Sequence, residues 1–400
     1  MNTLKSDICF RNINLAGAFL ALAAQNSGLK VTIVLPSTLK WDYKPEITPY
    51  YPISLNQFWK SFTNIRFIEN ISSLFPNLVY PVRIFTFNST KKINAKTIEA
   101  FDFLLKREMD HASLPLNPSD YEVFKPFEEN LHAGALASEY QLDRNKAIID
   151  LVVACKQKGA RVISEDDYEK SATIPSNSFL CQPFNKEVNR VIIENYHLNF
   201  KNDLRIISDK IEIQIQKLGD DTLLKFNVLK KIDLQEFTNQ CCSQLTNIGF
   251  KDTDNFRPKL KSIYGSLTEC NILFNRDKNI INDIYISNFA RFYFEVEKRI
   301  SKEIGKKILL KKTLNPVKQN TISADKFRQI QNTCDEKFDL AKQTGVPYLK
   351  FKYFFYRYPE KIDDFIEIAY DQMNQTRDAE LIWDSIEKEY QTFLMKDLLS

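Results

Sequence analysis

Between residues 7 and 36 the apolar positions change period twice. Ile8, Cys9 and Phe10 form a short apolar run that predicts a strand. Leu15, Phe19, Leu22 and Ala23 then recur at helical spacing as far as Asn26, Gly28 stops the helix, and Val31 to Leu35 is a continuous apolar run, the pattern of a strand covered on both faces. The stretch from Gly134 to Ser164 carries a similar order: Asp143 is placed to cap a helix that runs to Lys158, Gly159 stops it, and Arg161 to Ile163 begins a strand. From Val188 to Val228 the period falls to two, predicting antiparallel strands of a separate sheet.

Helical spacing is also expected at Leu55–Ile71, Thr97–Arg107 and Leu234–Leu245, with an alternating strand at Val82–Phe87 and a loop at Leu114–Asp120. Tyr264 and Gly265 are placed in a strand or turn, and Ile284 to Gly305 in a strand that runs into a long helix. A polar segment, Leu314 to Ser323, is expected to link these elements to amphipathic helices at Phe327–Thr344, Pro347–Tyr358, Asp363–Asn374 and Asp378–Leu399. The aromatic run Tyr353 to Tyr358 is read first as core packing of this tail and second as a contact surface.

The opening strand, helix and strand form the frame of a dinucleotide-binding unit. Such a unit usually has three glycines in its first turn, where backbone approaches a pyrophosphate, and an acidic residue at the end of its second strand for the ribose. Here the glycine positions fall on Asn12, Asn14 and Gly17, and the acidic position on Leu35. Any cofactor-binding residues therefore reduce to Asn12, Asn14 and Gly17, a degenerate phosphate turn.

Composition narrows the reading further. The chain has 9 glycines in 400 residues, against roughly 28 at average usage, which argues against a cofactor-rich enzyme. Its 55 basic and 51 acidic residues nearly cancel, so no field favours nucleic acid. Seven cysteines without a CxxC pair fit reduced thiols better than a disulfide framework, and three histidines have no zinc spacing. Leu15 to Ala24 mimics the apolar core of a signal peptide, but Asp7 interrupts the basic region and a second strand follows at once. The chain is read as cytoplasmic, without a transmembrane segment, with peripheral membrane contact left open.

With these elements in order, the chain resembles the FAD-dependent glycerol-3-phosphate dehydrogenase family over almost its whole length. The resemblance is carried by Asp7 to Pro36, PNLVYPVRI at Pro76 to Ile84, Gly134 to Val162, LRIISDKIEI at Leu204 to Ile213, Ile284 to Gly305, and YFFYRYPEKIDDFIEIA at Tyr353 to Ala369. It implies an α/β fold of FAD type, an antiparallel substrate-domain sheet and a helical C-terminal domain. The domains expected are a dinucleotide-binding part at about 1–75, 130–187 and 284–313, an inserted sheet domain at about 76–129 and 188–283, a linker at 314–324 and a helical domain at 325–400. The tail is expected to be removable as a unit.

The family's other motifs are altered. Its late glycine-glycine-lysine segment reads Ser287, Asn288, Phe289, with Tyr293 still matching. Its glycine-valine-arginine-proline strand reads YGSLTE from Tyr264 to Glu269, and its lysine-glycine-histidine pattern falls around Ser208, Asp209 and Lys210. The first reading is therefore a non-catalytic scaffold without cofactor, metal or catalytic residues, working with an unknown protein partner. The alternatives are an FAD-dependent oxidoreductase with diverged cofactor contacts, and a nucleotide or metabolite binding module.

Overall fold

The computed structural model describes residues 6–36, 46–48, 79–89, 113–120, 134–171, 177–182, 190–193, 203–218, 221–250, 253–269, 274–283, 298–308 and 324–399, apart from 143, 375 and 377, with shorter pieces between 96 and 132. The expected helix at Leu55–Ile71, the segment Ser287–Phe289 with Tyr293, and most of the polar linker lie outside these residues.

The first sheet forms as the apolar runs dictate. β1 (Ile8–Arg11) feeds α1 (Leu15–Asn26), which returns to β2 (Val31–Leu35), and β1 pairs with β2 in parallel with Ile8 opposite Val31. All five residues of β2 are buried, which explains why its sequence does not alternate. β7 (Arg161–Ser164), which runs into the short α3 (Glu165–Glu169), continues the sheet beyond β2, while β8 (Ser178–Gln182) lies on the other side of β1, followed by β14 (Ile280–Asn282) and β13 (Phe274–Asn275). The order is β13-β14-β8-β1-β2-β7, with every pair from β14 to β7 parallel. Leu15, Phe19 and Leu22 of α1 and Leu151, Val152 and Cys155 of α2 (Arg144–Gln157) share the core on one face.

The second sheet has eight strands. In chain order they are β3 (Glu46–Thr48), β4 (Val79–Asn88), β5 (Ser113–Leu116), β6 (Gly134–Leu142), β9 (Arg190–Ile193), β10 (Asp203–Ile207), β11 (Ile211–Leu218) and β12 (Asp221–Val228). Its pairs are antiparallel except β4 with β10. One face, with Leu204, Ile213 and Phe226, packs on Phe237 and Cys241 of α4 (Leu234–Asn247) and Leu260 and Ile263 of α5 (Arg257–Glu269).

Several elements differ from expectation. Tyr264 to Glu269 is not a strand but the last part of α5, whose Leu260, Ile263 and Tyr264 follow helical spacing. Ser113–Leu116 pairs with β6 as a strand, with Pro115 at the sheet's edge, where a missing donor is tolerated. β6 belongs to the second sheet, and β13 with β14 to the first, so the sheets exchange chain near 143 and 270 rather than 130 and 284.

The tail consists of α6 (Ala324–Ala341), α7 (Tyr348–Arg357), α8 (Ile362–Gln372) and α9 (Ala379–Leu399), around a fully buried Trp383. Phe354, Phe355, Tyr356 and Tyr358 are all buried, with Phe351 a turn earlier, so this part of the aromatic run is core. The tail packs on the first sheet. Leu398 is buried in the core of the first sheet with Met395 against it, Lys156 Nζ donates to the Asp397 carbonyl at 2.8 Å, and Lys146 faces Glu360. Removal of 325–400 would expose that apolar contact to water.

Candidate functional site

In an open α/β sheet the ligand crevice lies beyond the carboxyl ends of the strands, where neighbouring connections leave in opposite directions. Here that point is between β1 and β8: the chain leaves β1 through α1 towards β2, whereas β8 stands on the opposite side. The residues that meet there are Asn12 and Asn14, the start of α1, and Asp283, which follows β14.

Asn12 has φ 54°, in the left-handed region. Asparagine tolerates that conformation better than other side-chain-bearing residues, so it takes the turn where the expected pattern has its first glycine. Asn14 is different. Its backbone is extended, at φ −118° and ψ −179°, and requires no glycine. It is 2% exposed and makes three bonds: Oδ1 accepts from the Gly17 N–H at 2.7 Å, and Nδ2 donates to the carbonyls of Gln182 at 2.9 Å and Ile281 at 3.1 Å. One side chain thus caps α1 and ties it to the ends of β8 and β14.

Gly17 survives for a packing reason. A Cβ there would stand 2.4 Å from Cys181 Sγ, so α1 approaches β8 only because the residue has no side chain. Gly17→Ala should lower stability by about 1–3 kcal/mol, the usual penalty of overpacking. Adding Cys181→Ala should restore part of the loss, because it removes the nearest atom; urea denaturation of the three variants measures the coupling.

Asp283 is 4% exposed, with its backbone N–H on the Gln182 carbonyl at 3.1 Å. Its Oδ1 accepts from the Ala16 N–H at 3.4 Å, across 267 residues of chain. The first turn of α1 contains no acidic residue of its own, so this carboxylate supplies the negative charge at the positive end of the helix dipole. Beside it the Cys181 thiol is pushed well above its usual range, by burial first and by the charge of Asp283 in addition, with an Asn14 backbone bond opposing.

Leu35 is 2% exposed within the core on the α1 side, so the position expected to hold a ribose is a packing position. Arg11, which sequence reasoning passed over, ends β1 on the other face. Its guanidinium lies 4.7 Å from the centre of the Tyr168 ring and 4.0 Å from Glu165 Oε1. A cation ending the first strand, at the crevice, was the available signal.

The second sheet has a polar face turned away from α4 and α5. Register places Thr86, Arg205, Gln214 and Lys225 in one row across β4, β10, β11 and β12, all at least nine-tenths buried. Arg205 Nη2 meets Glu212 Oε2 at 3.3 Å, and Gln214 Nε2 donates to Glu212 Oε1 at 2.7 Å. Burial acts to raise the Glu212 carboxyl, but Arg205, Gln214 and Lys225 together outweigh it and hold the group below its ordinary range. A depressed carboxyl stabilises the fold above its unfolded value near 4.5 and loses that contribution as pH falls towards its folded value. The urea midpoint should therefore drop on acidification below about pH 4.5 more steeply in the parent than in Glu212→Gln. Ser208, Asp209 and Lys210, by contrast, form the turn between β10 and β11, where Lys210 pairs with Glu236.

The six cysteines among the described residues are buried and outside any disulfide, and burial pushes the Cys9 thiol up to about 11 and those of Cys155 and Cys334 up to about 12. Among the described residues no group of three His, Cys, Asp or Glu side chains could hold a metal, and no helix is long and apolar enough to cross a membrane.

No protein-family model and no curated protein matches the sequence. Solved structures similar to this chain include a glycerol-3-phosphate dehydrogenase from Bacillus halodurans complexed with FAD, at 11% identity and a TM-score of 0.48 over 95% of this chain and 82% of that one. An L-proline dehydrogenase from P. horikoshii aligns at 10% identity and a TM-score of 0.42, over 78% and 96%. A glycine oxidase from Bacillus cereus aligns at 11% and 0.40, over 76% and 98%. The chain shares a mixed α/β architecture with these structures, of which the glycerol-3-phosphate dehydrogenase is complexed with FAD. The expectation of no cofactor is corrected on this finding, since the fold occurs with FAD bound. The missing glycines do not remove the turn itself: Asn12 adopts the left-handed conformation and Gly17 keeps the close packing of helix on strand.

Measured against FAD, the turn fits in part. The switch point, Asn12 and Gly17 suit a dinucleotide. The first turn of α1 does not accept a pyrophosphate as it stands, because Asn14 and Asp283 hold its Gly17 and Ala16 N–H groups.

Proposed function

We propose that this chain is an FAD-type oxidoreductase with diverged cofactor contacts, its dinucleotide site at the switch point between β1 and β8. The observation that carries the reading is the junction itself: a parallel βαβ crossover whose helix N-terminus still gathers negative charge, now the carboxylate of Asp283. Arg11 and the αL turn at Asn12 supply further polar contacts at the crevice. The buried Arg205 and Lys225 on the second sheet suit an anionic small-molecule substrate.

Titration of free FAD with the purified protein tests this. Saturable quenching of flavin fluorescence is expected, followed by dye reduction with glycerol 3-phosphate or another small anionic alcohol. Absence of FAD binding sinks the proposal.

A second reading has its own support. Asn14 turns the phosphate-facing end of α1 into a joint between α1, β8 and β14, as suits a fold kept as a scaffold for another protein. Co-purification of a stoichiometric partner with a protein that does not take up FAD favours it.

A further inference from the structure

We infer that the first turn of α2 holds a binding site of its own, in which the buried amide of Asn145 donates to an uncharged carbonyl oxygen of a small ligand. The inference goes beyond the dinucleotide reading, which concerns the end of β1 and the start of α1.

α2 leads into β7 as α1 leads into β2, and the two strands are parallel, so both helices run against the strands and begin at the sheet's carboxyl edge. β6 of the second sheet ends at Leu142, two residues before α2, and Glu360 of the tail faces Lys146 in the helix's first turn. Three parts of the chain meet there, at the kind of junction where small-molecule sites form.

Asn145 lies on the apolar stripe of α2, three and four residues before the buried Ile148 and Ile149, and is itself 8% exposed. Its Nδ2 is buried and has no hydrogen-bond partner among the described residues, whereas the amide of Asn14 is fully used at α1. A buried donor without an acceptor destabilises the fold, so packing gives no reason for an amide at this position. Helical side chains lean towards the N-terminus, which sets the amide over the first turn. Its soft terminal torsion lets Nδ2 turn to the surface that Asn145 retains.

The neighbouring charges select the ligand group. Lys146 already faces two carboxylates, Asp150 Oδ2 at 3.9 Å and Glu360 Oε1 at 4.0 Å, so a third carboxylate meets repulsion. The oxygen of an amide or ketone adds no charge and accepts the N–H bond. The burial of Nδ2 turns away a flat protein surface and suits a small group that enters the junction.

The test titrates the 15N-labelled full chain with N-methylacetamide and, separately, with sodium acetate at constant ionic strength. The Asn145 side-chain amide signal, assigned by its absence from Asn145→Leu and Asn145→Ala, is followed by NMR. A saturable shift with N-methylacetamide, tighter than any with acetate, is expected. No saturable shift, or an equal or tighter one with acetate, overturns the inference whether or not the chain takes up FAD. Thermal midpoints give a second readout. Asn145→Leu, which keeps the shape and removes the orphaned donor, should melt no lower than the parent and lose the rise that N-methylacetamide gives it. A lower midpoint shows the amide to be structural, and an undiminished rise places the probe elsewhere; either result overturns the site.

Discussion

Glu387→Ala is expected to destabilise the helical tail by about 3–5 kcal/mol, the effect of leaving one partner of a buried ion pair uncompensated. Arg357 at the end of α7 is 1% exposed, as is Glu387 on α9, and Nη1 meets Oε1 at 2.9 Å. Tyr358 donates its hydroxyl to the same oxygen at 3.0 Å. Removal of the carboxylate leaves a guanidinium among Tyr358 and the neighbouring rings, far from water. Lys337 with Asp363 lies on the surface, where screening reduces such a pair to below about 1 kcal/mol, and its loss should pass almost unnoticed. Glu387→Gln, which retains an acceptor for Tyr358, should fall between the two. The double variant Arg357→Met, Glu387→Leu should recover most of the loss, because no charge then remains buried. Guanidinium midpoints of the four proteins decide the matter, and a loss under 1 kcal/mol in Glu387→Ala would show the pair to be dispensable.

The elements of this tail were legible because their signals are local. Helical spacing, Pro347 ahead of α7 and the break at Pro359 lie within the segments they govern, and the observed bounds fall within three residues of those expected. The opening βαβ unit was legible for the same reason. Pairing between distant strands was not. Nothing near Gly134 says that its strand joins the second sheet, and nothing near Phe274 says that its strand returns to the first. Tyr264 to Glu269 was misplaced because a family pattern was allowed to override the spacing of Leu260, Ile263 and Tyr264, which already described a helix.

At the candidate site, the sequence named three residues that the fold brings together and missed the structural use of two of them. Asn12, Asn14 and Gly17 do surround the start of α1. The two asparagines were read only as a degenerate turn, yet one takes up the left-handed backbone of a glycine and the other fills its place with hydrogen bonds. Asp283 was invisible, since its role depends on β14 standing beside β8, which no local pattern encodes. Leu35 was identified as unable to hold a ribose, and its burial adds that the position belongs to the core.

Asn14→Gly, the change that would rebuild the glycine turn, should lower stability by about 1–3 kcal/mol rather than simply open the site. Glycine serves nearly as well as asparagine in the cap itself, where the loss is a few tenths of a kcal/mol. The larger part comes from the carbonyls. Gln182 keeps the Asp283 N–H as a donor and Ile281 keeps its place in the parallel β8–β14 ladder, so neither carbonyl is orphaned; what is lost is two buried hydrogen bonds, each worth about 0.5–1.5 kcal/mol. Loss of the side chain also uncouples α1 from β8 and β14. Asn14→Asp separates the contributions, because it retains an acceptor for Gly17 and favours the helix dipole while placing a carboxylate against two carbonyl oxygens. It should be at least as destabilised as the glycine variant, and urea denaturation at neutral pH measures both. If Asn14→Gly is as stable as the parent, the joint between α1, β8 and β14 does not depend on this amide, and its polar atoms belong to ligand recognition instead.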